Sequence, residues 1–165
     1  MKKDAEKIEL LFNKYGDEIL RTCMLILHNR AMAEDAAMTV YENAFAALHR
    51  FRGDSKERTW LIKISVNVCR SILKSSAYKT SMSGEIPEFA ADKDDFSALE
   101  NKTAVSDAFM SLPEVYREAA VLCLYNGFTV KEASQITGKS QSTMTFRVRK
   151  AKELLREALK ECYYE

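Results

Sequence analysis

The sequence predicts an all-α protein of two small helical domains joined by a flexible linker. Three observations carry that expectation. Of 165 residues, 5 are Gly and 2 are Pro, about a third of the usual frequency, which disfavours sandwiches and barrels built on many tight turns. Apolar residues recur at steps of three or four in both halves of the chain, the period of a helix with one buried face. Between the halves the composition changes. Thr80 to Asn101 carries Glu85, Glu88, Asp92, Asp94, Asp95 and Glu100 against Lys93 alone, along with Ser81, Ser83, Gly84, Pro87 and Ser97. An acidic, weakly apolar stretch of this kind reads as a solvated connector. The expected division is a first domain over 1–79, a linker over 80–102 and a second domain over 103–165.

In the first half, Met32 to His49 reads as one helix and Lys56 to Lys74 as another. On the second of these, Leu61, Ile64, Val68 and Ile72 mark the expected core face. A second stripe of the same period runs through Lys56, Trp60, Lys63, Asn67, Arg70 and Lys74. It has no acidic member, whereas a merely solvated face mixes signs to gain i,i+4 pairs. A one-sign stripe with a Trp and an Asn suits phosphates and bases. Charge along the chain agrees: net charge is only +1, yet Arg50 to Lys79 and Lys139 to Lys160 form two basic islands around the acidic linker.

In the second half, Pro113 is placed to open a helix, and Val115 to Tyr125 reads as a mostly buried one ending near Asn126 and Gly127. Thr129 and Glu132 have capping-box spacing, and Val130, Ala133 and Ile136 give the short helix after them an apolar side. Gly138 stops it and Ser140 caps the next, in which Met144, Val148, Ala151, Leu155 and Leu159 share one face. Helix, short turn, helix is the pattern of a DNA reader whose second helix enters the major groove. Its early exposed residues are Gln141, Ser142, Thr145, Phe146, Arg149 and Lys150. Gln pairs with adenine, Arg and Lys with guanine, and an apolar group such as Phe146 meets a thymine methyl. Arg147, Lys152 and Arg156 read as phosphate contacts or solvated charges.

Other function classes fare poorly. The longest apolar run, Ala119 to Tyr125, is 7 residues, against the roughly 20 needed to span a bilayer, so no membrane insertion is expected. Met1 to Glu9 carries Asp4, Glu6 and Glu9 without an apolar stretch after it, unlike a secretory leader, and the expected location is the cytoplasm. Cys23, Cys69, Cys123 and Cys162 are isolated and read as thiols, mostly filling cores. A helical metal site is disfavoured, because the residues three before His28 and His49 are Leu25 and Ala46 rather than Glu. No nucleophile with a base at helical spacing and no glycine-rich phosphate loop is present. No enzyme activity, metal or cofactor is expected.

These residues resemble a family, the small two-domain bacterial sigma factors of the extracytoplasmic-function group. The first half carries Ala33-Glu34-Asp35, then Phe51-Arg52-Gly53-Asp54-Ser55, then Thr59-Trp60-Leu61 with Ile64 and Asn67, in the order of the family's second region. The second half carries Leu112-Pro113, Tyr116-Arg117, Gly127-Phe128-Thr129, Glu132, Gly138, and Thr143 with Arg147 and Ala151, resembling the fourth region. The resemblance implies a factor that binds core RNA polymerase and directs it to promoters, without chemistry of its own. It implies that the recognition helix reads double-stranded DNA at the minus-thirty-five element. It also implies that Phe51, Arg52, Ser55, Lys56, Trp60, Lys63, Asn67, Arg70 and Lys74 serve the locally melted minus-ten element. Opening a duplex costs stacking, which capture of an unstacked base partly offsets.

The helix from Met32 would dock on polymerase through Asp35, Met38, Thr39 and Glu42. The family shows Gln-Glu where this chain has Met38-Thr39, Arg at Thr145, Ser at Phe146, Gly at Ser142 and Ile-Ala at Ala133-Ser134, so promoter preference is expected to be this chain's own. An anti-sigma factor masking both domains, and a monomeric free state, are further implications. The competing reading is an autonomous helix-turn-helix regulator acting as a dimer on a palindrome.

Overall fold

In the computed structural model, residues 2–75, 78–79 and 104–163 are described, with no account of the side chains beyond 160. The expected linker, 80–102, and the Cys162 side chain lie outside them. The chain divides into two compact units, Met1–Ile86 and Pro87–Glu165. All regular structure among the described residues is helical.

The first unit is built from α1 (Lys2–Leu27), α2 (Arg30–Ala47), a 3-10 turn (Leu48–Arg50) and α3 (Glu57–Leu73). The three helices pack against one another pairwise. α2 presents small residues inward, with Ala33, Ala36, Val40 and Ala44 all buried, so its axis can approach its neighbours closely. Asn29 caps it, its Oδ1 accepting from the Met32 N–H at 2.9 Å. His28 turns the chain between α1 and α2 with φ 52. It is buried, while His49 is exposed.

α3 begins and ends where its sequence pattern predicts, with Lys56 and Lys74 as flanking caps. Its buried face is broader than the expected stripe. Leu61 and Val68 are buried as expected, but Ile64 and Ile72 are only half-buried, and Ile62, Ser65, Val66, Cys69 and Leu73 complete the core side. The reason is that α3 meets both α1 and α2, so a wide arc is covered and its centre shifts away from Ile64. Glu18 of α1 fixes the first turn of α3: Arg58 Nε donates to its Oε1 and Oε2 at 2.9 and 3.0 Å. Tyr78 adds a tie, its hydroxyl donating to the Leu27 carbonyl at 3.0 Å.

The second unit comprises α4 (104–110), α5 (Glu114–Ala120) running into a π turn (Val121–Tyr125), α6 (Val130–Thr137) and α7 (Gln141–Tyr163). Pro113 is the N-cap of α5 rather than its first helical residue. Of the expected buried helix, only Arg117 and Ala119 to Leu122 are buried. Val115, Leu124 and Tyr125 are exposed, because α5 lies against α7 along one side. Arg117, 5% exposed, reaches back to the end of α4. Its Nε donates to the Phe109 carbonyl at 3.2 Å, and Nη2 donates to those of Met110 and Leu112 at 3.1 and 2.9 Å. The C-terminal carbonyls of a helix lack partners within it, and this guanidinium supplies donors there beside the Ser111 and Leu112 N–H groups, which donate to the Asp107 and Phe109 carbonyls.

Cys23 and Cys69 are buried free thiols. Cys123 is half-buried, and burial pushes its thiol above the ordinary range against the lowering influence of Lys152, with Glu132 raising it further. It stays protonated at neutral pH.

Candidate nucleic-acid interface

The helix-turn-helix forms as its spacing predicts. Thr129 Oγ1 accepts from the Glu132 N–H at 3.1 Å, while the Thr129 N–H donates back to Glu132 Oε1 at 3.2 Å, closing the capping box. Gly138 ends α6 at φ 74, a left-handed conformation that costs glycine nothing. Ser140 then caps α7, its Oγ accepting from the Thr143 N–H at 3.1 Å. Thr137 braces the turn from within, donating to the Ala133 carbonyl at 2.8 Å and accepting from the Lys139 N–H at 3.3 Å.

On α7, Met144, Val148, Ala151 and Leu155 are buried and Leu159 is half-buried. With about 100° of turn per residue, Ser142, Phe146 and Arg149 lie on the side opposite that stripe. Gln141, Ser142, Thr145, Phe146 and Arg149 are all exposed, and Lys150 is half-buried with Glu153 at 3.7 Å. Phe146 is 55% exposed and meets the Tyr116 ring edge-on, 6.5 Å between centroids. Thr145 spends its hydroxyl proton on the Gln141 carbonyl at 2.8 Å.

In the first unit, Lys63, Asn67 and Lys74 are exposed and Trp60 and Arg70 half-buried, on the side of α3 away from its core arc. The preceding loop exposes Arg52, Ser55 and Lys56. Phe51 and Trp60 are stacked, with ring centroids 4.7 Å apart. Asp35, Met38, Thr39 and Glu42 are brought together as one exposed side of α2. Sequence reasoning missed Phe45, 45% exposed beside Met38 at 60%. Its place seven residues after Met38, two turns along the same side, was the available signal. It also missed the Glu18–Arg58 pair and the approach of Lys7 to Phe51, which no local pattern announces.

Among the described residues, no group of His, Cys, Asp or Glu is arranged to hold a metal ion, and no helix is long and apolar enough to cross a membrane.

The sigma-70 region 2 family matches residues 11–77, and the sigma-70 region 4 family matches residues 102–155. The RNA polymerase sigma-H factor of Pseudomonas aeruginosa is 26% identical over 94% of this chain and 88% of its own length. The extracytoplasmic-function sigma factor SigW of Bacillus subtilis is 23% identical over 97% and 92%. The chain belongs to the extracytoplasmic-function sigma factors of the sigma-70 family. The fold of this sigma factor is shared with RpoE from Bartonella quintana, solved with the anti-sigma factor NepR. That likeness has a TM-score of 0.78 at 23% identity and covers 97% of this chain and 98% of the other. CnrH, solved with the cytosolic domain of CnrY, gives a TM-score of 0.72 at 20% identity over 95% and 90%. As a sigma factor, the protein directs RNA polymerase in transcription initiation. Nothing supports the autonomous dimeric regulator.

Proposed function

We propose a division of labour among three surfaces. The exposed side of α2, with Asp35, Met38, Thr39, Glu42 and Phe45, docks on core polymerase. Exposed apolar groups such as Met38 and Phe45 gain by burial against a partner, and their polar neighbours set orientation. The basic side of α3 and the loop before it, with Phe51, Arg52, Ser55, Lys56, Trp60, Lys63, Asn67, Arg70 and Lys74, serves the minus-ten element as it opens. The cations hold backbone phosphates, and the Asn67 amide offers a donor and an acceptor to a displaced base. The start of α7, with Gln141, Ser142, Thr145, Phe146, Arg149 and Lys150, reads the minus-thirty-five element in the major groove. Residues 80–102 tether a domain over 1–79 to one over 103–165, their acidity keeping them off the phosphates. The protein works in the cytoplasm, is monomeric when free, and is held in check by an anti-sigma partner. The last point draws support from the complexes in which RpoE was solved.

The observation that carries this reading is that Ser142, Phe146 and Arg149 on α7, and Lys63, Asn67 and Lys74 on α3, are exposed on the sides away from the buried residues of their own helices, in two separate units. Side chains that hold the fold and side chains free to meet DNA are thereby distinct.

Permanganate footprinting of a promoter bound by core polymerase and this protein tests it. Thymines near minus ten should become reactive only when both proteins are present. Asn67→Ala should lower that reactivity about tenfold while closed-complex affinity changes less than about threefold, the loss of one base hydrogen-bonding group. Unchanged reactivity in the variant would remove Asn67 from the opening step.

A further inference from the structure

Trp60 is the only tryptophan of the chain, and its surroundings point to a role other than the one its place on the basic face invites. Its half-buried ring lies on Phe51 with planes 28° apart. These two residues bracket the exposed loop 52–56. Phe51 closes the 3-10 turn, its N–H donating to the Leu48 carbonyl at 3.1 Å, and Trp60 sits in the first turn of α3, its N–H donating to the Lys56 carbonyl at 3.0 Å. The ring stack therefore joins the point where the chain leaves one helical turn to the point where it enters the next. Lys7, from α1, places its Nζ 5.8 Å from the Phe51 ring centroid, within cation–π reach. Within the loop, Gly53 takes φ +79 with open space around its Cα, a bend that a side chain would strain.

A loop whose ends are fixed has less freedom to lose when it captures a strand. One face of the Trp60 indole is committed to Phe51 and the ring is half-buried, which restricts the surface left for a base to stack on. We propose that Phe51 and Trp60 are a positioning pair: their stack, steadied by Lys7, holds the loop 52–56 in its strand-binding shape before DNA arrives. On this inference, which rests on the minus-ten reading above, the direct contacts come from Arg52, Ser55, Lys56 and Asn67, and Trp60 touches no base.

The single tryptophan makes the test direct. The full chain is prepared with 5-hydroxytryptophan at position 60, assembled with core polymerase, and titrated with the minus-ten non-template strand of a promoter that it transcribes. This fluorophore is excited to the red of the polymerase's own tryptophans. The strand should bind with emission changed by less than about a tenth, because the indole stays on Phe51 and no base stacks on its other face. Binding accompanied by loss of more than about half of the emission would mean stacking on a base and would overturn the positioning role alone. Failure of the wild-type complex to bind the strand at all would bring down the minus-ten reading and the inference with it.

In the same assay Phe51→Leu should weaken strand binding about tenfold and make Trp60 in the free chain more accessible to acrylamide. Phe51→Tyr, which keeps the stack, should recover most of that loss. Lys7→Gln should cost about two- to threefold. Strand affinity of Phe51→Leu equal to wild type, in a protein that melts normally, would overturn the proposal.

Discussion

Arg117→Ala is expected to destabilise the C-terminal unit by about 3 kcal/mol, because it removes the buried hydrogen bonds from one guanidinium to the Phe109, Met110 and Leu112 carbonyls, of which Phe109 keeps a second donor in the Leu112 N–H. In a domain of this size that lowers the melting temperature by roughly 15 °C. Circular dichroism on the full chain should show the change in the transition of the second unit, with the first unit melting as before. Arg117→Lys should recover only part of the loss. A lysine ammonium is a single compact donor centre, whereas the three carbonyls are reached here by two nitrogens of one planar fork, Nε and Nη2. Retention of the wild-type melting temperature in the alanine variant would show that the guanidinium bonds are dispensable.

The second large effect belongs to recognition. Arg149 is exposed on α7, and on the proposed reading of that side in the major groove a bidentate contact to guanine is worth about 1–3 kcal/mol of discrimination. Arg149→Ala should therefore weaken holoenzyme binding to a specific promoter roughly 5- to 150-fold, with the loss concentrated at one position of the minus-thirty-five element. Binding to random duplex should fall less than about threefold, since only one cation is removed. Arg156→Ala, by contrast, should weaken specific and random sites alike. Equal losses on specific and random DNA for Arg149→Ala would reduce that residue to a phosphate contact.

Much of the fold was legible because helices write their buried faces into the sequence. The stripe Met144, Val148, Ala151, Leu155 and the capping box Thr129–Glu132 are local patterns, and the structure forms both. The family resemblance was legible for the same reason: its motifs are contiguous and ordered. What periodicity cannot supply is the width and centre of a buried arc. α3 packs on two helices, so Ile62, Val66 and Cys69 are buried while Ile64 and Ile72 are only half-covered. Contacts between distant residues are equally silent. Glu18 and Arg58 are 40 positions apart, and neither carries a mark of the other. Arg117 stands in a recognised motif, Tyr116-Arg117, yet its burial carries no local mark, since its partners are carbonyls, which every residue has. His28 is the converse case: a polar residue at a helix end turns out to be enclosed where the chain passes from α1 to α2.

The candidate site divides along the same line. Which side chains of α7 face outward followed from spacing. That Trp60 would be occupied by Phe51 did not, because the stack depends on the path of the loop between them.

The central claim is that this protein confers promoter-specific initiation on RNA polymerase through these two DNA-facing surfaces. Run-off transcription with purified bacterial core polymerase and a library of promoter fragments tests it most directly. Discrete transcripts should appear only when the protein is added and should weaken at least about fivefold with Arg149→Ala or Asn67→Ala. Absence of any protein-dependent transcript, from a core polymerase shown to be active with another sigma factor, would contradict it.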